Sequence, residues 1–406
     1  MTVPLLPIVL ALGATQIIGY GTLYYAYPIL ALAIAQEFGA SASTLFAILS
    51  IGLLLGGLAA PRLGRAMDVH GAPRLMAIGS GIVALMVAAL ALAQNIVVFG
   101  IVFIVVEIAS ITVLYDAAFA CLALFGGLRA RRAIAYLTLI AGFASTLFWP
   151  LTGWLLELLG WRAVYGIFAL LHLLLALPLH ALLATRARQA KASHTIHAQD
   201  ESERAGSSAL PAKEARIAFW AVAASFALSG MLTSALGVHL VPILQTIGLG
   251  PAAFMASMLM GPSQVLIRLT DALFWRNLHP LSVAAIACTA LPLSVLVLMS
   301  GPSALVTGAA FAIIFGIGQG LESIVRGSVP LVLFGREGYA ERLGRLSAAR
   351  IGFSASAPLL FAVAQGKLGL NVALGLLLAI SALAIVPLLV LRQHLAANGR
   401  LHRLPA

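Results

Sequence analysis

Charge is scarce in this sequence: Asp, Glu, Lys and Arg make up 9% of its 406 residues, where an ordinary soluble domain carries about 25%. That shortage excludes a water-soluble domain, because 62% hydrophobic residues leave too little polar surface to cover the rest. Cysteine is nearly absent. Cys121 and Cys288 each lie inside an apolar stretch with no CxxC or CxxH spacing, so neither a disulfide framework nor a metal site is expected. Acidic residues are fewer than basic ones, 13 against 24. The basic residues stand in short clusters at the ends of apolar runs without interleaved aromatics, which argues against a nucleic-acid surface and for contact with the lipid bilayer. There is no GxxxxGK[ST] loop, no HExxH and no GxSxG. Nucleotide-driven pumping and membrane-embedded hydrolysis therefore lose their usual residues, and no cofactor is implied.

What the chain does have is long apolar runs. A helix needs about 20 apolar residues to cross a bilayer core, and helices are favoured there because lipid cannot satisfy open backbone groups. Twelve stretches reach that length, roughly 5–34, 43–60, 74–94, 96–126, 134–158, 161–185, 217–246, 251–275, 281–300, 303–335, 346–366 and 370–391. The first has no basic segment before it and no small-residue cleavage site, so it is expected to be a transmembrane helix rather than a removed signal. Of the 24 lysines and arginines, 19 fall in alternate breaks between runs or after the last run. Only Arg162 and Lys367 stand in the other breaks. Basic loops stay cytoplasmic, so both termini are expected inside.

One extended polar segment, 186–216, carries Asp200, Glu201 and Glu203 among six basic residues. Its composition reads as a flexible cytoplasmic linker. It divides the chain into 1–185, the linker 186–216, and 217–406 with a short cytoplasmic tail. The expected fold is all-α and integral to the membrane: twelve transmembrane helices in two pseudo-symmetric six-helix bundles. His194 and His197 form an HxxH pair, but without acidic or Cys ligands nearby a solvated linker is the better reading.

Arg65-x-x-Asp68 after the second run recurs as Arg268-x-x-Asp271 late in the eighth, half a chain away. Around the first copy stands Gly56-Gly57-Leu-Ala-Ala-Pro61-Arg62-Leu-Gly64-Arg65-Ala-Met-Asp68-Val-His-Gly71-Ala-Pro-Arg74. With twelve runs split six and six, this stretch resembles the signature of the major facilitator superfamily. Its Gly-Arg-x-x-Asp-x-x-Gly-x-x-Arg form is similar to the monocarboxylate and oxalate porter branch. So are Arg131-Arg132-Ala-Ile-Ala leading into a Gly142-containing fifth run, and an arginine within the eighth. The resemblance implies a secondary transporter working by alternating access, a monomer in a bacterial inner (plasma) membrane, carrying a small solute. The same architecture also hosts exporters of drugs or of a metalloid such as arsenite, which is the alternative reading.

Charge within a bilayer costs roughly 2.5–3.5 kcal/mol per residue on insertion scales, so each intramembrane ion needs a reason. Arg268 is the first candidate for substrate binding, since a guanidinium can hold a carboxylate through two parallel hydrogen bonds. Gln264 lies one turn earlier on the same face. An internal pair with Asp271, three residues on, is the competing reading. Glu322 and Arg326 are spaced i, i+4 on the tenth run and can pair along one face; alternatively Glu322 exchanges a proton and Arg326 meets substrate. Arg350 sits near the cytoplasmic start of the eleventh run, where snorkelling to the headgroups is easy; a substrate or gate role is the alternative.

In the first half, Glu107 lies mid-run and is the best candidate for proton coupling, because protonation would remove a costly charge; a role in helix packing is the alternative. Asp116, nine residues on, falls on the opposite side of a continuous helix and nearer the cytoplasm. By depth it could meet Arg62 or Arg65 as an inside gate, with Asp68 and Asp271 as further gate residues. Gln16, Tyr20, Tyr24 and Tyr27 are spaced four, four and three, one helical stripe suited to a water-filled cavity. Tyr27 could equally belong to an interfacial belt. His172 and His239 read as core histidines. Gly52-x-x-x-Gly56 and Gly316-x-x-x-Gly320 permit close helix packing. The expected cargo is a small organic or inorganic anion held by Arg268, Gln264 and the first-run tyrosines, with protons coupled through Glu107 or Glu322.

Overall fold

The computed structural model describes residues 5–194, 210–250, 252–275, 278–300 and 304–400. Among these there is helix and no strand. Among the described residues, ten helices are long and apolar enough to cross a membrane. We number the helical segments α1 Leu5–Glu37, α2 Ala42–His70, α3 Ala72–Ala91, α4 Ile96–Gly126, α5 Ala130–Gln189, α6 Ala212–Leu244, α7 Ala252–Met258, α8 Met260–Leu273, α9 Pro280–Ser300, α10 Ala304–Phe334, α11 Tyr339–Leu368 and α12 Leu370–Ala397. The fifth and sixth expected runs are both within α5, where Gly160 at φ +76 turns the chain between them. The eighth expected run is divided at Leu259 into α7 and α8.

Two compact units emerge, one of Met1–Ser207 with Arg336–Ala348, the other of Ser208–Gly335 with Ala349–Ala406. The division near residue 207 falls inside the expected linker. The short segment from the second half that belongs with the first does not follow the expected boundaries. The start of the expected flexible linker is also helical, as the last helical turns of the first half continue to His194. His197 lies outside the described residues.

In the first unit, Phe99, Phe103, Tyr165 and Phe168 build a buried aromatic core between α4 and α5. Its α2 packs on α4 through glycine: a Cβ on Gly52 would stand 2.8 Å from Glu107 Cγ, and one on Gly56 3.4 Å from the Glu107 carbonyl oxygen. The second unit repeats the device with the roles exchanged, since Gly316 and Gly320 of α10 lie on Met260 and Gln264 of α8. In each unit the glycine pair therefore sets a helix directly against a polar residue of the opposing span. Phe311 and Phe315 anchor the second core.

Helices α1 and α4 are interrupted close to their polar residues. The first contains a π turn at Tyr20–Tyr25, which inserts one residue and rotates all that follows. Helix α4 breaks over 111–114, with Leu114 extended at φ −86, ψ −164. The local cause is the run Ser110-Ile-Thr-Val113: its β-branched residues are stiff, and the Ser110 and Thr112 hydroxyls donate to the Glu107 and Ala109 carbonyls at 2.7 Å each. One carbonyl freed by the break, that of Val113, accepts Gln16 Nε2 at 2.7 Å.

Candidate functional site

The signature stretch ends α2, and in the first unit its polar residues converge on the start of α11. The Asp68 carboxylate accepts the Ala340 amide at 3.0 Å and the Glu341 amide at 2.8 Å. It thus serves as the N-cap of a helix from the other end of the chain, where free amides and the helix dipole favour an anion. Arg65 donates twice to Glu341, Nε to Oε2 at 3.2 Å and Nη2 to Oε1 at 2.9 Å. Just before α11, Arg336 donates Nε to the Ala123 carbonyl at 2.8 Å and so covers the C-terminal end of α4.

Asp116 joins this latch by a route different from the expected one. Because α4 breaks, Asp116 opens the resumed helix Tyr115–Gly126, and it accepts the Ser347 hydroxyl at 2.6 Å. Arg65 is engaged by Glu341 instead, and Arg62 is exposed, with no hydrogen bond or ion pair on its side chain among the described residues.

The first-helix stripe does not stay on one face. Gln16 is fully buried and ties α1 to the break in α4. Beyond the π turn, Tyr20 is half-buried and Tyr24 exposed. Tyr27 is not a belt residue: it is buried, donates to the Leu45 carbonyl at 2.6 Å and packs on Phe103 with ring centroids 4.3 Å apart.

Glu107 is 6% exposed. Its carboxyl makes no hydrogen bond or ion pair among the described residues. Tyr27 and Tyr165 lie within its electrostatic reach.

Histidines supply a second polar group in this unit. Thr15 and Thr22 donate to the Leu12 and Ile18 carbonyls, so their oxygens can only accept from the rings: His180 Nε2 reaches Thr15 at 2.9 Å and His172 Nε2 reaches Thr22 at 2.8 Å. Ser80 then donates to His180 Nδ1 at 2.7 Å. His172 is thus a buried core residue held through Nε2, its Nδ1 without a hydrogen-bond partner among the described residues, and His180, which its apolar setting hid, is its companion.

Arg162, one of the two outlying basic residues, clamps the opposite end of the bundle. It donates to Glu37 Oε1 at 2.7 and 3.0 Å and to the Ala91 carbonyl at 2.8 Å, and lies over the Trp161 ring at 4.3 Å.

In the second unit, Arg268 and Asp271 are both buried on α8. Arg268 donates Nη2 to Gln264 Oε1 at 3.2 Å and Nε to the Gly320 carbonyl at a long 3.4 Å, and Gln264 donates to Gln319 at 2.9 Å. Gln319 joins the site unannounced by any pattern. A second cluster gathers Glu322 and Arg326 of α10 and Arg350 of α11, with the Ser229 hydroxyl beside the carboxylate. Arg350 does not snorkel away. Its stem crosses α6 at Gly230, where a Cβ would stand 2.8 Å from Arg350 Cγ. His239 donates from Nε2 to the Pro358 carbonyl at 3.1 Å. No group of three His, Cys, Asp or Glu suited to a metal ion occurs among the described residues.

Helices long and apolar enough to cross a membrane, with charged side chains buried within some of them, mark an integral membrane protein. A family model described as Major Facilitator Superfamily matches residues 12–340, and the chain belongs to that superfamily of membrane transporters. The crystal structure of the human organic anion transporter MFSD10 (TETRAN) is similar at a TM-score of 0.73 and 16% identity, covering 95% of this chain and 100% of that one. The proton:xylose symporter XylE bound to 6-bromo-6-deoxy-D-glucose is similar at 0.68 and 14%, covering 94% of each chain. At such identities the likeness concerns the fold. No curated protein sequence matches this chain significantly.

Proposed function

We propose that this transporter moves a small organic anion such as a monocarboxylate by alternating access, with twelve crossings in two six-helix halves. The carrying observation is a charge imbalance. The spans of the second half hold three arginines, Arg268, Arg326 and Arg350, against two carboxylates, Asp271 and Glu322. An excess positive charge in low-dielectric surroundings is offset by an anionic solute, and guanidinium is the side chain suited to hold one. Arg326 and Arg350, half-buried around Glu322, are accessible in this conformation; Arg268 is closed over by Gln264 and α10. We assign Arg268, Arg326 and Arg350 to the anion, Glu107 and Glu322 to proton exchange, and the Asp68, Arg65 and Asp116 latch to gating. The protein works as a monomer in a bacterial inner membrane with both termini in the cytoplasm.

Counterflow in proteoliposomes tests this, with monocarboxylates, dicarboxylates and arsenite offered with and without a pH gradient. Exchange of a carboxylate that is lost in Arg268→Gln and in Arg350→Gln supports the reading. Arsenite exchange that survives both substitutions would favour a metalloid exporter, and failure of every carboxylate to exchange would defeat the anion assignment.

A further inference from the structure

Half of the eight tyrosines in the chain stand together in the first unit. Tyr20, Tyr24 and Tyr25 come from the π turn of α1 and Tyr115 from the resumed part of α4. Their rings form a continuous series. Tyr115 lies 4.5 Å from Tyr20, Tyr20 6.3 Å from Tyr24, Tyr24 5.3 Å from Tyr25, and Tyr25 6.1 Å from Trp149 of α5, the last three contacts edge to face. Tyr24 and Trp149 are each more than half exposed. Rings in an interfacial belt sit at the ends of a span. Tyr20–Tyr25 instead occupy the middle of Leu5–Glu37. The π turn is what sets these neighbouring tyrosines edge to face, and such turns cluster where a protein binds ligand.

The place of this array in the duplicated chain carries a second, independent observation. The separation between Arg65 and Arg268 also takes Phe119, which stacks on Tyr115 at 5.1 Å, onto Glu322. It takes Ala26, next to Tyr25, onto Ser229, and Leu147, two residues before Trp149, onto Arg350. The spans that bear the arginine and glutamate cluster in the second half bear rings in the first.

We infer that the first half binds a planar aromatic ring, and that the solute is an aryl monocarboxylate. The ring meets the exposed faces of Tyr24 and Trp149, where an added edge-to-face or offset partner extends the series. The charge requirement rests on the anion reading proposed above.

Calorimetric titration of the purified full-length protein in nanodiscs with benzoate, cyclohexanecarboxylate and benzamide tests both parts separately. Benzoate is expected to bind about tenfold more tightly than cyclohexanecarboxylate, which has similar size and charge but no flat ring. Trp149→Leu and Tyr24→Leu are expected to remove that preference, and Trp149→Phe to restore most of it. Equal binding of benzoate and cyclohexanecarboxylate, or a preference untouched by both leucine variants, would overturn the ring site while leaving the anion reading intact. Benzamide binding as tightly as benzoate would overturn the anionic part and the proposed function with it.

Discussion

Gly344 crosses Ala60 with no room for a side chain between them: a Cβ on the glycine would fall on the Ala60 carbonyl oxygen. Gly64 repeats the contact against the Ala340 carbonyl. Each helix thus offers a small residue every four positions, Ala60-x-x-x-Gly64 on α2 and Ala340-x-x-x-Gly344 on α11, and backbones of membrane helices approach closely along such stripes. The close crossing brings the α11 amides within reach of Asp68, and Glu341 within reach of Arg65.

Replacing glycine by alanine inside a helix ordinarily stabilises it by roughly 0.8–1.0 kcal/mol. At Gly344 the sign reverses, because the added carbon must push two helices apart, an overpacking cost of about 1–3 kcal/mol. Gly352 on the same helix has nothing within 4 Å of its Cβ position. Thermal melts of Gly344→Ala and Gly352→Ala should move in opposite directions; equal shifts would mean that the crossing is not tight.

The Arg65–Glu341 pair predicts a charge-swap rescue. Arg65→Glu and Glu341→Arg are each expected to slow transport, by placing like charges at the latch. The double reversal should recover most of the rate. Full recovery is not expected, since Arg345 also donates to Glu341, at 2.5 Å, and would face an arginine in the swapped protein. Initial rates for the four proteins, at matched expression, decide the matter. A double variant no better than the worse single one would show that the pair does not act as a unit.

Gln16 separates packing from substrate contact. Its amide satisfies the Val113 carbonyl left open by the break in α4, and an orphaned buried carbonyl costs about 1–3 kcal/mol. Gln16→Leu should lower the melting temperature and leave the KM of the surviving protein unchanged. A raised KM at unchanged stability would return Gln16 to the substrate site.

The physical origin of each feature explains what the sequence disclosed. Apolar runs and the alternation of basic breaks follow from bilayer thickness and charge, so most helices were legible to within several residues at their ends, while α2 continues past its expected end to His70. The signature residues were legible as a polar group expected to act as a gate, but the partners of Arg65 and Asp68 lie some 270 positions away, and no local pattern links them. A stripe argument assumes 3.6 residues per turn throughout. The π turn at Tyr20–Tyr25 and the break after Ser110 each violate it, which is why Tyr27 and Asp116 stand in other surroundings than the stripe and the continuous helix implied. Arg350 was misplaced for another reason: its path across α6 depends on the missing side chain of Gly230, a residue on a different helix.

Glu107 offers the sharpest test of proton coupling. It is buried against Gly52, with no cation and no hydrogen-bond donor engaged by its carboxyl among the described residues. A carboxylate so placed lacks the compensation that a buried charge requires, whereas the protonated acid needs far less. If the residue only locks α4 to α2, Glu107→Gln, which preserves shape and neutrality, should leave transport and its response to a pH gradient as they are. If Glu107 loses and regains a proton in each cycle, Glu107→Gln should hold the carrier permanently in the neutral form. Counterflow, in which no net proton movement is needed, would then continue at a rate within about a factor of two to three, while uphill transport driven by a pH gradient would fall by at least about tenfold, the equivalent of 1.4 kcal/mol of lost driving force. Gly52→Ala provides the packing control, since it crowds the Glu107 side chain without touching its acidity. It should lower the melting temperature and slow both modes together. Equal loss of both modes in Glu107→Gln would identify Glu107 as a packing residue and leave Glu322 as the remaining proton carrier.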